Sequence, residues 1–264
     1  MHTSIAAYAF VPVDEPPLLA ARLRRWAGDA RLLGSVLVAP EGLNLFLAGT
    51  AEAIDGFVAR LRGDPRFAAI TVRRSHSATA PFARLKVKVK REIIAFRQPG
   101  ASPLDGRAPA LSPHDLARWI AAGHDDDGRP LRILDTRNRE ELAHGGFSGA
   151  VTLPIDNFTD LPAALDAVRD RLRGHAVVSV CTGGIRCEKA APWLAANGVD
   201  HVSQLDGGIL GYFEAVGGAG WDGRCFVFDA RIALDPSLRA LADALPGDAP
   251  GTTRIAAGAM EDAA

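Results

Sequence analysis

The chain has 264 residues, 48% hydrophobic and 23% charged, a composition typical of a folded globular protein with one large domain or two small ones. The formal net charge of −1 excludes attraction of the whole molecule to nucleic acid, so RNA could bind only at a local patch. No apolar stretch is long enough to span a membrane, and the N-terminus lacks the pattern of a signal peptide. Three cysteines without a Cys-x-x-Cys pair argue against a disulfide scaffold and a structural zinc site, so we expect a cytoplasmic protein without a metal.

Residues 1–97 are predicted to form an α+β domain. Apolar alternation and a turn signal at Pro40-Glu41-Gly42 predict strands at residues 4–13, in a hairpin over 35–48, and at 70–73 and 85–96. Helical periodicity predicts helices at 16–30 and 50–61, the second capped by Thr50. The order β-α-β-β-α-β is that of a ferredoxin-like fold.

Residues 98–110 are rich in Pro, Gly, Ala and Ser and are predicted to be a linker. Ser112-Pro113 has the residue types that begin a helix. Short apolar runs, separated by helical segments, then predict strands at 131–134, 151–153, 177–180 and 201–204. This alternation predicts an α/β domain with a parallel sheet over 111–216. Residues 217–264 are predicted to be an extension, with a short appended piece at 221–233 and a disordered end from 246 onward.

A cysteine loop follows the predicted strand that ends at residue 180. Cys181 stands at the strand's tip, and Thr182, Gly183, Gly184 and Ile185 lead into Arg186 and a helix. Backbone N–H groups in such a loop, the helix N-terminus and the arginine all favour the thiolate, which is the nucleophilic form. Only four residues separate Cys181 from Arg186, one fewer than in a phosphate-cradling Cys-x5-Arg loop, which argues against a phosphatase.

Several neighbours of the loop have two interpretations. Arg186 either faces the substrate or braces the loop through a salt bridge, and both would lower the pKa of Cys181. Cys187 is either a packed helix residue or a resolving thiol that forms a disulfide with Cys181 after oxidation. Asp135, at the end of another strand, and Arg137 are predicted to support the structure. Glu188 and Lys189 are interpreted as polar residues at a helix start.

A basic strand is the second candidate site. Four basic residues alternate with apolar ones along this predicted strand, so their side chains are expected to share one face. They are Arg84, Lys86, Lys88 and Lys90. Three of the four lysines of the chain lie here. Such a strand is ordinarily a solvated edge. The alternative is a surface that contacts RNA phosphates and positions the RNA without reading its sequence.

These motifs resemble a known family. Three stretches resemble the signatures of a rhodanese domain. They are Asp135-Thr136-Arg137, the loop Cys181-Thr182-Gly183-Gly184-Ile185-Arg186, and Leu205-Asp206-Gly207-Gly208-Ile209. The longer string through Cys187-Glu188-Lys189-Ala190 is similar to the bacterial tRNA uridine(34) hydroxylases, a family of rhodanese-domain proteins. Further similar stretches are Glu41-Gly42-Leu43-Asn44, the basic strand, and Cys225-Phe226-Val227-Phe228-Asp229-Ala230-Arg231.

The resemblance implies an oxidoreductase that hydroxylates the wobble uridine of tRNA at C5. It implies molecular oxygen as co-substrate, the tRNA anticodon loop as partner, and Cys181 as the functional thiol, in the role of a persulfide carrier. No other cofactor is evident, and no membrane or DNA partner is expected. One alternative is a sulfurtransferase acting on a small molecule or a protein, which would leave the basic strand without a role. The other is a non-enzymatic RNA-binding or sulfur-relay module.

Overall fold

The computed structural model of the protein describes residues 1–240, and the predicted disordered end lies outside the described residues. Two α/β units follow one another along the chain, each with its own sheet and hydrophobic core. Within residues 1–240, no helix combines the length and the apolar character needed to cross a bilayer.

The N-terminal unit has the predicted ferredoxin-like topology. Its elements are β1 (His2–Phe10), α1 (Pro16–Asp29), β2 (Leu33–Ala39), β3 (Gly42–Gly49), α2 (Ala51–Arg62), β4 (Val72–Ser77) and β5 (Leu85–Val89). The sheet order is β4-β1-β3-β2-β5. The first four strands are antiparallel, and β5 adds to the edge parallel to β2. Both helices pack on one face of the sheet, where α2 residues Ile54 and Phe57 join the buried strand residues Leu45 and Val36.

Two predicted strands were misplaced. The prediction of a strand over 85–96 was wrong beyond Val89, because Lys90 makes the last ladder bond, to Val38 O at 2.8 Å. The chain then leaves the sheet, and the Phe96 ring stacks on Phe158 of the second unit at a centroid distance of 4.5 Å. The strand predicted at 70–73 begins two residues later, since a 3-10 turn at Pro65–Phe67 carries the chain through Ile70.

The second unit contains the predicted parallel sheet. Its elements are β6 (Ala110–Leu111), α3 (Pro113–Ala122), β7 (Leu131–Asp135), α4 (Arg139–Leu142), β8 (Gly145–Phe147), β9 (Val151–Thr152), α5 (Leu161–Ala164), α6 (Arg169–Leu172), β10 (Ala176–Val180), α7 (Ile185–Ala196), β11 (Val202–Leu205), α8 (Gly208–Val216), β12 (Trp221–Gly223), β13 (Cys225–Phe226) and β14 (Ala233–Leu234). The sheet order is β6-β11-β10-β7-β9, and every pairing is parallel. The piece after α8 returns to this unit, because β12 pairs with β8.

The register of the parallel sheet places two strand ends together. Val180 pairs with Asp135, so the residues that follow β10 and β7 meet at one edge. Thr136 extends this contact, its backbone N–H and its hydroxyl both donating to Val180 O, at 3.0 and 2.9 Å. Ligand sites of open α/β sheets gather at the carboxyl ends of the strands. The Cys181 loop occupies that position.

Candidate active site

The loop after β10 is shaped around the sulfur of Cys181. The N–H of Gly184 points back and donates to Cys181 Sγ at 3.2 Å. Gly184 has φ of 93°, and a Cβ there would lie 2.9 Å from the hydroxyl oxygen of Tyr8. Glycine is required at this position for both its backbone conformation and its space. Cys181 itself is fully buried, so the thiol is enclosed by protein in this structure.

The environment of Cys181 favours its thiolate. Burial by itself would raise the pKa of Cys181, but a hydrogen bond from the Cys187 thiol, the charge of Arg186 and the backbone N–H groups of Cys187 and Arg186 together lower that pKa. The pKa of Cys187 is raised, by burial first and then by the charge of Cys181. These opposite directions favour the thiolate at Cys181 and the thiol at Cys187, and the role of Cys181 as the functional thiol stays a prediction. Whether Cys187 also acts as a resolving thiol stays a prediction.

Arg186 forms a buried ion pair with Glu141 of α4. Its two terminal nitrogens donate to the two carboxylate oxygens at 2.5 and 2.6 Å, and the Thr182 hydroxyl donates to Glu141 Oε1 at 2.7 Å. Burial alone would raise the pKa of Glu141, but the Arg186 charge and these hydrogen bonds hold it below its usual value. Of the two interpretations of Arg186, the structure supports the one in which a salt bridge makes it brace the loop. Its charge still reaches Cys181.

Asp135 and Arg137 form a second buried ion pair beside the loop. Both are fully buried, and Arg137 donates to the two Asp135 oxygens, at 2.9 Å from Nε and 2.7 Å from Nη2. Arg137 also donates to Gly145 O at 2.7 Å and lies over the Trp221 ring at 5.1 Å. These contacts join β7 to β8 and β12. They fit the structural role predicted for the pair, which stays a prediction.

Two residues at the site were given no role from the sequence. Glu141 is the N3 residue of a capping box that begins at Asn138, whose N–H donates to Glu141 Oε2 at 3.1 Å. The Asn-x-x-Glu spacing was a usable local signal for that carboxylate. Tyr8 belongs to β1 of the other unit, and its hydroxyl donates to Glu188 Oε1 at 3.3 Å. Burial, then the negative charges of Glu188 and Cys181, raise the pKa of Tyr8, so it stays a protonated donor.

Glu188 lies in the first turn of α7, as interpreted, but Glu188 and Lys189 are more than polar residues at a helix start. Both are buried, Lys189 to 1% exposure. The Lys189 ammonium contacts Glu41 at 2.9 Å and Glu92 at 2.7 Å, and it donates to Ile94 O at 3.1 Å. A buried lysine needs such partners because an unpaired charge would be costly to desolvate. Helix α7, which begins at the cysteine loop, is thereby anchored to the N-terminal unit.

The basic strand lies on the outer edge of the N-terminal sheet as β5. Arg84 and Lys90 at its ends are exposed, and Lys86 and Lys88 are half-buried. Val87 on the opposite face is buried in the core. The structure therefore gathers the four basic residues along one edge, on a different unit from Cys181. Their role in RNA binding stays a prediction.

The fold and the site define a rhodanese-domain protein whose cysteine loop is covered by a second, acylphosphatase-like unit. Residues 112–215 match the rhodanese-like domain family, and residues 2–93 match the family described as UPF0176 acylphosphatase like domain. Similar proteins named tRNA uridine(34) hydroxylase cover nearly the whole chain. The relative from Xanthomonas campestris pv. campestris (strain B100) is 61% identical over 243 residues, which are 92% of this chain and 96% of its own. The relative from Xylella fastidiosa (strain 9a5c) is 58% identical over 90% of this chain and 93% of its own. The chain belongs to the tRNA uridine(34) hydroxylase family.

Proposed function

We propose that this protein is an oxidoreductase that hydroxylates C5 of the wobble uridine, position 34, in tRNA, with molecular oxygen as co-substrate and in the cytoplasm. The observation that carries the proposal is the identity of about 60% with proteins named for this reaction, over nine-tenths or more of both chains. Identity of this extent includes both units, not the rhodanese-like unit alone. A sulfurtransferase without an RNA substrate would need only the rhodanese-like unit.

Cys181 is the functional thiol of the proposed reaction. Its lowered pKa, the N–H of Gly184 at 3.2 Å and the Arg186 charge support a negatively charged sulfur or a persulfide at this position. Arg186 acts through this charge, and Glu141 holds it in place. Thr182, Gly183, Gly184 and Ile185 give the loop its shape.

Arg84, Lys86, Lys88 and Lys90 bind phosphates of the tRNA in this proposal. Lys88 shares a row across the sheet with Tyr8, because Lys88 pairs with Leu37, Leu37 with Asn44, and Asn44 with Tyr8. Tyr8 lies against the cysteine loop. The basic edge and the loop therefore lie on the same side of the N-terminal sheet. The anticodon loop suits such a site, since its bases are already unpaired.

The test is mass spectrometry of nucleosides from tRNA in a strain that lacks the gene. We expect 5-hydroxyuridine-type modification to be absent, to return with the wild-type protein, and to stay absent with Cys181→Ser. Cys225→Ser is the matched control, because Cys225 is equally buried but burial raises its pKa to about 12, so it is a thiol. Unchanged tRNA in the deletion strain would overturn the proposal. Thiosulfate sulfur transfer by the purified protein, together with unchanged tRNA, would instead support the sulfurtransferase alternative.

A further inference from the structure

One face of the N-terminal sheet carries no helix of its own unit among the described residues. The buried residues that pack under α1 and α2 alternate along the strands with a second set, which forms the opposite face. We call this second set the helix-free face. It comprises Arg73 and Ser75 of β4, Ser4, Ala6 and Tyr8 of β1, Asn44, Phe46 and Ala48 of β3, Leu33, Ser35 and Leu37 of β2, and Lys86 and Lys88 of β5.

One row of this face runs straight across all five strands. Registered pairs join its members in the order Arg73, Ala6, Phe46, Ser35 and Lys86. Neighbouring strands lie 4.7–4.9 Å apart, so the row is about 19 Å long. Phe46 stands at its centre. An extended strand of nucleotides could follow such a row from one end to the other.

The two halves of the helix-free face have different surroundings. Arg73 pairs with Glu214 of α8 at 2.6 Å and lies against Gly207 and Gly211, so the β4 end of the row is joined to the rhodanese-like unit beside the cysteine loop. The β2 and β5 half is half-buried. At the centre of the face, Phe46 of β3 belongs to none of the hydrophobic clusters and none of the aromatic pairs formed by the described residues.

The positive charge of the helix-free face is concentrated at its outer edge. Lys86 and Lys88 line that edge, whereas Arg73 at the inner edge is paired with Glu214, and the described strands place no acidic side chain of their own on the face. The remaining polar residues are serines, Asn44 and Tyr8, which are neutral. An apolar centre beside a cationic edge complements a ligand with flat apolar groups and a negatively charged backbone. Single-stranded RNA has that chemistry.

We propose that the helix-free face is a platform for single-stranded RNA, on which the Phe46 ring stacks with a base of the anticodon loop while Lys86 and Lys88 contact the adjacent phosphates. This inference rests on the proposed function and adds a base contact to it. Aromatic residues on an open sheet stack unpaired bases in this way in other folds. The row directs the RNA from the β5 edge toward Arg73, and so toward the cysteine loop.

The experiment measures the dissociation constant of the full-length protein for a tRNA transcript with uridine at position 34. Phe46→Leu removes the ring and keeps an apolar side chain, and we expect binding about 5- to 150-fold weaker, the range for loss of one base–aromatic stack. Phe46→Trp restores a ring, and we expect affinity near that of the wild type. Trp26→Leu is the matched control, because Trp26 is a half-buried aromatic of α1 on the other side of the sheet. Thermal unfolding of each variant separates a folding defect from a binding defect.

The outcomes distinguish the platform from the enzyme. Wild-type affinity and wild-type modification in Phe46→Leu would overturn the platform and leave the proposed function intact. A wild-type protein that neither binds the transcript nor modifies tRNA in the cell would overturn both. A change in oligomeric state in Phe46→Leu, at unchanged tRNA affinity, would show that a second copy occupies the face and would also overturn the platform. Competition by single-stranded but not by double-stranded RNA is the supporting result.

Discussion

Arg186 and Glu141 form a two-point ion pair beneath the cysteine loop, with nitrogen–oxygen distances of 2.5 and 2.6 Å. Both side chains are almost completely buried. The pair joins the first turn of α7 to α4, and Thr182 adds a third hydrogen bond to the same carboxylate. The position of the charge that acts on Cys181 is therefore set by an element 45 residues earlier in the chain.

Loss of the Glu141 charge should destabilise the protein strongly. Glu141→Gln leaves the Arg186 guanidinium buried without its counter-charge, and removing one partner of a buried pair costs about 3–5 kcal/mol. Urea unfolding measures this loss in the free energy of unfolding. Asp156→Asn is the control, because its pair with Arg139 is exposed and is expected to contribute less than about 1 kcal/mol. Equal effects of the two substitutions would contradict the buried brace.

The pH dependence of Cys181 alkylation should report its lowered pKa. A thiol with a lowered pKa stays a thiolate as the pH falls below about 8.5, and its reaction rate decreases only when the pH passes through the lower value. Cys187→Ala removes a hydrogen-bond donor to that thiolate, so the midpoint of the rate profile should move to higher pH. Mass spectrometry of peptides alkylated by iodoacetamide assigns the rate to Cys181. An unchanged midpoint in Cys187→Ala would show that the second thiol does not stabilise the first.

Lys189→Met should loosen the contact between the two units. The substitution keeps the side-chain length but leaves Glu41 and Glu92 without their shared cation. Since both carboxylates keep some solvent exposure, we expect a loss of about 1–3 kcal/mol rather than the full cost of a buried charge. Calorimetry should show a lower transition temperature, or two transitions in place of one. Lys90→Met, at an exposed position, should change stability by no more than about 0.5 kcal/mol.

Charge reversal on the basic strand should weaken tRNA binding without affecting the thiol. In the variant Lys86→Glu, Lys88→Glu and Lys90→Glu, we expect a lower affinity and a salt dependence reduced by about 0.7–0.9 per lost phosphate contact. The control carries Arg25→Glu, Arg60→Glu and Arg171→Glu, which change the net charge equally at exposed positions. Binding measured at several salt concentrations distinguishes them. An equal loss of tRNA affinity in both variants would show that net charge alone causes the effect. A basic-strand variant with the tRNA affinity of the wild type would refute the RNA contact.

Many features of the fold were predictable because their causes are local. Thr50 and Ser112 were recognised as helix caps, and their side chains accept hydrogen bonds from Ala53 N and Asp115 N at 3.2 and 3.1 Å. The overextended strand at 85–96 shows where local patterns fail. Its apolar residues continue past Val89, but Phe96 is buried in the core of the other unit. An apolar pattern reports that a residue is buried and does not report which core buries it.

The cysteine loop could be predicted from the sequence alone, because a strand end, two glycines and an arginine at fixed spacing are local features. The fold class of each unit and the basic strand could be predicted for the same reason. The partners of that loop were decided by tertiary structure. Glu141 reaches Thr182 across 41 residues, and Tyr8 reaches Glu188 across 180. Lys189 becomes a buried anchor only because two carboxylates of the first unit surround it. Spacing along a chain encodes a turn or a strand, whereas the choice of counter-charge for a buried group depends on which surfaces pack together, and that is set by the whole fold.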